Sequence, residues 1–238
     1  MEIMILPRSS EWADLTHDAR ELAARYDLGE LQSSFPIKVG LRRKSVRRVY
    51  VFYAGVVWQD PGAPTEAMRW ADVGDWREST TAHYQNGMYS YTDYSYTLTR
   101  TDGVSLKLAS TFHDGRMKKP PVDTSGPPQA YACSELCRMV CAHLAETRLP
   151  GTLQAVQRGE PQVFGGITLA QDRIEVAGDS LSWGLVEDLG VRKGAFQVTG
   201  GGRRRPLSRQ VSDIPRFTLM KATAEALFQH HGNLPRIG

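Results

Sequence analysis

Three cysteines, Cys133, Cys137 and Cys141, are the most conspicuous candidates for chemistry in this chain of 238 residues. Spacing of four sets them along one stripe of a helix, about 6 Å apart along its axis, whereas a metal or cluster needs thiolates that converge on a point. Leu136, Val140 and Leu144 share that stripe, so the sequence predicts small buried hydrophobes rather than ligands or redox groups. An odd number of cysteines confined to one segment also makes no disulfide framework. None of the six histidines stands at a metal-ligand spacing, and His230-His231 are expected to be solvated residues at a helix end. There is no Gly-x-Ser-x-Gly elbow, and Gly200-Gly201-Gly202 runs into arginines without the Lys-Ser/Thr of a phosphate-binding loop. Asp72, Asp75, Asp93 and Asp102 fall where turns and strand ends are expected. The sequence thus selects no catalytic residue, metal ligand or cofactor.

Two basic stretches carry the remaining chemistry. Lys38, Arg42, Arg43, Lys44, Arg47 and Arg48 lie in a segment with no acid before Asp60. Arg192, Lys193, Arg203, Arg204, Arg205 and Arg209 lie between Asp188 and Asp213 with no acid among them. Against a net charge of only +3, this clustering leaves the rest of the chain net negative. Such segregation is what an anion-binding surface needs, and solvated loops are the plain alternative. A third candidate is aromatic: Tyr84, Tyr89, Tyr91, Tyr94 and Tyr96 occupy one hairpin. Tyr89 and Tyr91 share one parity, and Tyr94, Tyr96 and Leu98 the other. A bulge near Thr92-Asp93 would gather the tyrosines on one face, where they could stack bases or anchor a peptide. Ordinary cross-strand packing is the competing account.

The elements that must position these groups can be read from periodicity. Ser9-Ser10-Glu11 offers a helix start, followed by Trp12, Leu15, Ala19, Leu22 and Tyr26 as one apolar stripe ending near Gly29. That stripe is expected against the body, with Leu28 and Leu31 behind it. From Phe35 to Phe112 the pattern is that of strands. Val49 to Trp58 forms two adjoining buried strands split at Ala54-Gly55, and Asn86-Gly87 and Thr101-Asp102-Gly103 mark two hairpins. A polar loop from His113 to Gln129 precedes a helix from Ala130 to Arg148, which Leu149-Pro150-Gly151 is expected to stop, with Thr152 to Arg158 extending or following it. Short strands then recur at Ile167–Leu169, Arg173–Val176, Ser180–Trp183, Leu189–Arg192 and Ala195–Val198. A last helix runs from Arg216 to His230. The apolar run Val49–Trp58 is far short of the roughly 18 residues a spanning helix needs. Met1 to Pro7 lacks the charge and apolar core of a signal peptide, so a reducing cytoplasm, or the membrane's cytoplasmic periphery, is the expected location.

The two halves echo one another. Trp70-Ala71-Asp72-Val73-Gly74-Asp75-Trp76 and Trp183-Gly184-Leu185-Val186-Glu187-Asp188-Leu189 share Trp-x-x-Val-x-Asp-apolar, each after a strand pair and before further strands and a helix. This order resembles the pleckstrin-homology-like (PH-like) superfold in its bacterial and GRAM-like branches. The segment Leu22-Ala23-Ala24-Arg25-Tyr26-Asp27-Leu28-Gly29-Glu30-Leu31 is similar to the opening of an uncharacterised actinobacterial family. The resemblance implies an α+β protein of two PH-like units, each an antiparallel bent sheet or partly open barrel closed by a C-terminal helix, plus an N-terminal helix. The expected organisation is a helical segment over 1–34, a first PH-like domain over 35–150 and a second over 151–238. The implied function is a non-enzymatic binding or scaffolding module that docks on a protein partner or an anionic membrane surface. Two alternatives stand beside it: a nucleic-acid-binding protein using the basic loops and the tyrosine hairpin, and an enzyme with a pocket between the domains.

Overall fold

The structure, a computed structural model, describes residues 14–39, 45–86, 88–112 and 128–232. The first described element is helix α1 (His17–Arg25), whose N-cap is Thr16: its hydroxyl accepts from the Ala19 N–H. The helix therefore starts later than Ser9-Ser10-Glu11 proposed, because Thr16 satisfies a first-turn N–H and residues 14–16 are non-helical. Ser9, Ser10, Glu11 and Trp12 lie outside the described residues.

Strands β1 (Leu31–Val39), β2 (Ser45–Phe52), β3 (Gly55–Gln59) and β4 (Thr65–Arg69) form an antiparallel meander in chain order. A 3-10 turn over Trp70–Asp72 leads into a second meander, β5 (Val73–Gln85), β6 (Met88–Arg100) and β7 (Ser105–Phe112), and then helix α2 (Pro128–Gln157). The same order follows: β8 (Gln162–Phe164), β9 (Ile167–Leu169), β10 (Arg173–Val176) and β11 (Asp179–Ser182); a 3-10 turn over Trp183–Leu185; β12 (Val186–Arg192), β13 (Ala195–Gly200) and β14 (Leu207–Gln210); and helix α3 (Phe217–Gly232). The class is α+β with antiparallel sheets. Where the sequence leads one to expect one bent sheet or partly open barrel per half, the described strands form separate four- and three-stranded meanders, none closed into a barrel. Each break falls at a Trp-bearing turn, and among the described residues no ladder joins the strand before it to the strand after it.

The residues divide into two compact units, Met1–Asp75 with Ala82–Met139, and Trp76–Thr81 with Val140–Gly238. In the first unit, Ala19, Ala23 and Leu28 pack on Tyr50, Phe52, Val57 and Ala67, with Leu15, Leu22, Tyr26 and Leu31 around them. Val49, Val51, Val56 and Met68, of opposite parity, are buried as well. The first meander is thus covered on both faces, which is why its sequence reads as an unbroken apolar run.

In the second unit the meander β8–β11 alternates instead. Phe164, Ile167, Leu169, Ile174, Val176 and Leu181 are buried, while the other residues of these strands are exposed or half-buried. Leu219, Met220, Thr223, Ala224 and Leu227 form the buried stripe of α3. The segment Trp76–Thr81 belongs to this unit through specific bonds. The Trp76 carbonyl accepts from the Arg216 N–H at 2.7 Å. The Glu78 carboxylate accepts from the Thr218 N–H at 3.1 Å, from its hydroxyl, and from the Trp76 indole N–H at 2.9 Å. A carboxylate on the first turn of α3 also meets the positive end of the helix dipole.

Pro150 does not end α2, which runs on to Gln157. Pro150 lacks the N–H that the Glu146 carbonyl would accept, but one absent bond is outweighed by burial on either side, at Leu144, Ala145 and Val156. The Thr152 hydroxyl donates to the Arg148 carbonyl across the gap. The stop comes at Gly159, with φ +83°, where the Glu160 N–H reaches back to the Ala155 carbonyl.

Candidate functional site

The sequence-predicted groups meet very different surroundings. Arg42, Arg43 and Lys44 lie outside the described residues. Arg47, on β2, is taken up by structure. Its guanidinium grips the Asp60 carboxylate in two-point fashion at 2.7 and 2.8 Å and donates to the Lys107 carbonyl on β7. With only 16% of its side chain exposed, it clamps β2 to the β3–β4 loop and to β7. Arg48, next along the strand, is exposed.

The second basic stretch also finds acids that its own sequence lacks. Arg192 pairs with Asp188 at 2.9 Å, Arg209 with Asp213 at 3.7 Å, and Arg203 with Asp179 at 3.6 Å. Arg203 further donates to the Ser180 carbonyl. Arg204 and Arg205 are exposed, with no hydrogen bond or ion pair among the described residues. They are carried by a turn that only glycine can make. Gly200, Gly201 and Gly202 all have positive φ, at +145°, +61° and +67°. A Cβ on Gly200 would stand 2.0 Å from the Leu185 carbonyl oxygen. The Gly201 N–H donates to that same carbonyl at 3.0 Å, fixing the turn against the Trp183–Leu185 3-10 turn. Trp183, 1% exposed, anchors the whole corner by donating its indole N–H to the Ala170 carbonyl at 2.9 Å.

The close approach brings an apolar residue into the site. Leu185 is 56% exposed, and its carbonyl is the one that the Gly200–Gly201 backbone meets. Of the nearby acids, Glu187 is exposed and Asp179 is held by Arg203. The arrangement is a glycine turn bonded to the carbonyl of an exposed leucine and followed by two exposed arginines that have no acid partner among the described residues. Sequence reading missed Leu185, since one apolar residue after Trp-Gly carries no periodic signal. Its significance appears only once the Gly200 backbone is laid against it.

The tyrosines do not form one face on the described part of the sheet. β6 pairs with β7 without a register shift from Thr92↔Phe112 to Thr99↔Ser105, so the expected bulge at Thr92-Asp93 is not present in that ladder. Tyr94 and Tyr96 therefore share a face with Leu98, and Tyr96 is buried with it. Tyr91, of opposite parity, stacks on His83 with ring centroids 4.3 Å apart, and His83 Nε2 meets Asp93 at 2.9 Å. Tyr84 is 66% exposed. Tyr89 is described by its backbone on β6.

Cys137 and Cys141 are buried on α2, as the apolar stripe requires, and Cys133 lies on the same helix. Burial pushes the Cys141 thiol far up, and the Glu78 carboxylate adds to the shift, so it remains a thiol. Among the described residues no group of three or more His, Cys, Asp or Glu is placed to hold a metal ion. His231 is less solvated than expected: it stacks on Trp183 and its Nε2 lies 2.8 Å from the Gln171 carbonyl, which closes the end of α3 onto the second meander. No helix among the described residues is long and apolar enough to cross a membrane.

No family model, curated protein or solved structure matches this chain.

Proposed function

We propose that the protein is a tandem of two PH-like units acting as a non-enzymatic docking module, and that its second unit engages an anionic membrane surface through the Leu185/Gly200–Arg205 tip. The tandem reading is supported by the repeated order of four-stranded meander, Trp-bearing 3-10 turn, three-stranded meander and helix. Matching bonds support it as well: the indole N–H of Trp70 donates to the Tyr53 carbonyl and that of Trp183 to the Ala170 carbonyl. Gene duplication accounts for both at once.

The observation that carries the membrane reading is that exposed Arg204 and Arg205 follow a glycine turn whose backbone is bonded to the carbonyl of exposed Leu185. Lipid phosphates would take the guanidinium groups, and the leucine would enter the boundary between headgroups and acyl chains. Two arginines at about 1 kcal/mol each give roughly a 30-fold preference for an anionic surface. A nucleic-acid surface is less well served, because Tyr96 is in the core and cannot stack bases.

The test is co-sedimentation of the full chain with phosphatidylcholine vesicles, with and without phosphatidylserine, at low and high salt. Binding should require phosphatidylserine, weaken with salt, and fall by roughly 30-fold in the Arg204→Ser/Arg205→Ser double variant. Leu185→Ser should weaken binding in a salt-independent way. Equal recovery with neutral and anionic vesicles would overturn the proposal.

A further inference from the structure

Four hydroxyl side chains stand three residues after an arginine: Ser45, Thr80, Ser208 and Ser212. The spacing matters because serine kinases that select basic substrates read it with carboxylates, which grip a guanidinium by two parallel bonds. The arginine must be available for that grip, and the hydroxyl must be exposed. Arg42, before Ser45, lies outside the described residues. Arg77, before Thr80, is a single basic residue followed by Glu78. Arg209, before Ser212, is folded onto its own unit. Its Nε stands 3.2 Å from where a Cβ on Gly166 would be and 3.7 Å from the Asp213 carboxylate. Asp213 also follows Ser212 directly, where it sets a like charge against the carboxylates of such a kinase.

Ser208 is placed differently. Arg205, Arg204 and Arg203 stand three, four and five residues before it. Arg204 and Arg205 are exposed, with no acid partner among the described residues, and Ser208 is exposed as well. It lies on β14, the end strand of its sheet, with β13 as its one neighbour among the described strands. Leu207 is buried, so the alternation of the strand turns the Ser208 hydroxyl to the opposite, outer face. The residue across the ladder is Gln197, and beyond it comes Gly190 on β12. No carboxylate stands in that row, and a Cβ on Gly190 would meet nothing within 4 Å. A phosphate has room there and no like charge in its row.

We infer that Ser208 is a phosphorylation site for an arginine-directed serine kinase, and that its phosphate cancels the charge of Arg204 and Arg205. In the transfer the Ser208 Oγ attacks the γ-phosphorus of a nucleoside triphosphate. An Oγ–P bond forms as the bond from that phosphorus to the β,γ-bridging oxygen breaks. The hydroxyl proton passes to the catalytic aspartate of the kinase, and the nucleoside diphosphate leaves. The product carries a charge of about −1.5 to −2 at pH 7. Three residues of extended chain span at most about 11 Å, close to the screening length of about 8 Å at physiological salt. The phosphate and the Arg205 guanidinium therefore share one local field, and the positive tip is neutralised. The site is independent of the membrane reading; its consequence, release from an anionic surface, rests on that reading.

The experiment treats the folded full chain with MgATP and a purified serine kinase that requires arginine three residues before its serine. Peptide mass spectrometry should place a phosphate on Ser208, and Arg205→Ala should slow its incorporation by at least about tenfold. The phosphorylated chain should bind phosphatidylserine vesicles roughly 30-fold more weakly than the unmodified one. Ser208→Ala, treated in the same way, should bind as before. Phosphate on Ser45, Thr80 or Ser212 with none on Ser208 would overturn the inference, and so would a phosphorylated chain that binds these vesicles undiminished. If the unmodified chain ignores the vesicles, the membrane reading falls, and retention on a heparin column decides the rest. Earlier elution after phosphorylation supports cancellation of the charge, and unchanged elution overturns it.

Discussion

Thr101 and Gly201 stand at equivalent places in two similar frames. Each backbone N–H donates at 3.0 Å to the carbonyl of the last residue of a 3-10 turn, Asp72 in one case and Leu185 in the other. What surrounds them differs. In the first unit Arg100, just before Thr101, spans the Asp102 carboxylate at 2.8 and 2.6 Å and donates to the Ala67 carbonyl. Its charge is neutralised within the turn. In the second unit the corresponding positions are glycines, and the charge arrives afterwards in Arg203–Arg205, two of which meet no acid among the described residues. One hydrogen-bonded frame therefore supports a closed, self-neutralised turn and an open cationic tip. Whether an arginine holds the fold or faces a ligand depends on an acid within reach, and not on how many arginines stand beside it in sequence.

The comparison is broken most severely at Gly200. An alanine there would be forced to φ near +145° with its Cβ 2.0 Å from the Leu185 carbonyl oxygen. The cost should be about 3 kcal/mol, read as a lowered urea midpoint followed by tryptophan fluorescence. Thr101→Ala, at the corresponding turn of the first unit, should move the midpoint far less. Equal effects would mean that the two frames do not differ in the way their geometry says.

The arginines provide the next test. Arg47→Met removes a half-buried two-point ion pair and leaves the Asp60 carboxylate, 29% exposed, without its partner. A loss of about 1.5–3 kcal/mol is expected, whereas Arg204→Ser/Arg205→Ser should change stability by less than about 0.5 kcal/mol. The double variant would then separate binding from folding. A destabilisation comparable to that of Arg47→Met would show that the tip is structural after all.

The sequence made some of this legible for definite reasons. Asn86, with φ +51°, and Gly103, with φ +93°, occupy turn positions that few other residues tolerate, so the hairpins could be placed from single residues. The Trp-x-x-Val spacing was readable because a 3-10 turn of fixed length separates a buried indole from the first inward residue of the next strand, Val73 or Val186. Pro150 misled because a proline's local cost is visible in sequence while the burial of Val156 that offsets it is not. The basic stretches misled in a similar way. Asp60 is 13 residues from Arg47, and Asp179 reaches Arg203 from another strand pair. Those pairings depend on register, which a count of nearby acids does not contain. Leu185 was invisible for the same reason.

The smallest effect lies in the closed turn itself. Asp102 accepts from the Arg100 guanidinium and from the Val104 N–H, which together hold its carboxyl down at about 2. A carboxyl whose pKa is lowered on folding stabilises the native state fully above the unfolded value, about 4, and ceases to do so as the pH falls through the folded value. The contribution should therefore fade between about pH 4 and pH 2, and it should be small because the group is exposed to solvent. Carboxyl chemical shifts should give Asp102 a midpoint near 2, and Arg100→Ala should move it toward the ordinary aspartate range. A midpoint already in that range in the unsubstituted chain would mean that Arg100 is not committed to Asp102. The first unit's turn would then be as open as the second's, and the contrast between them would collapse.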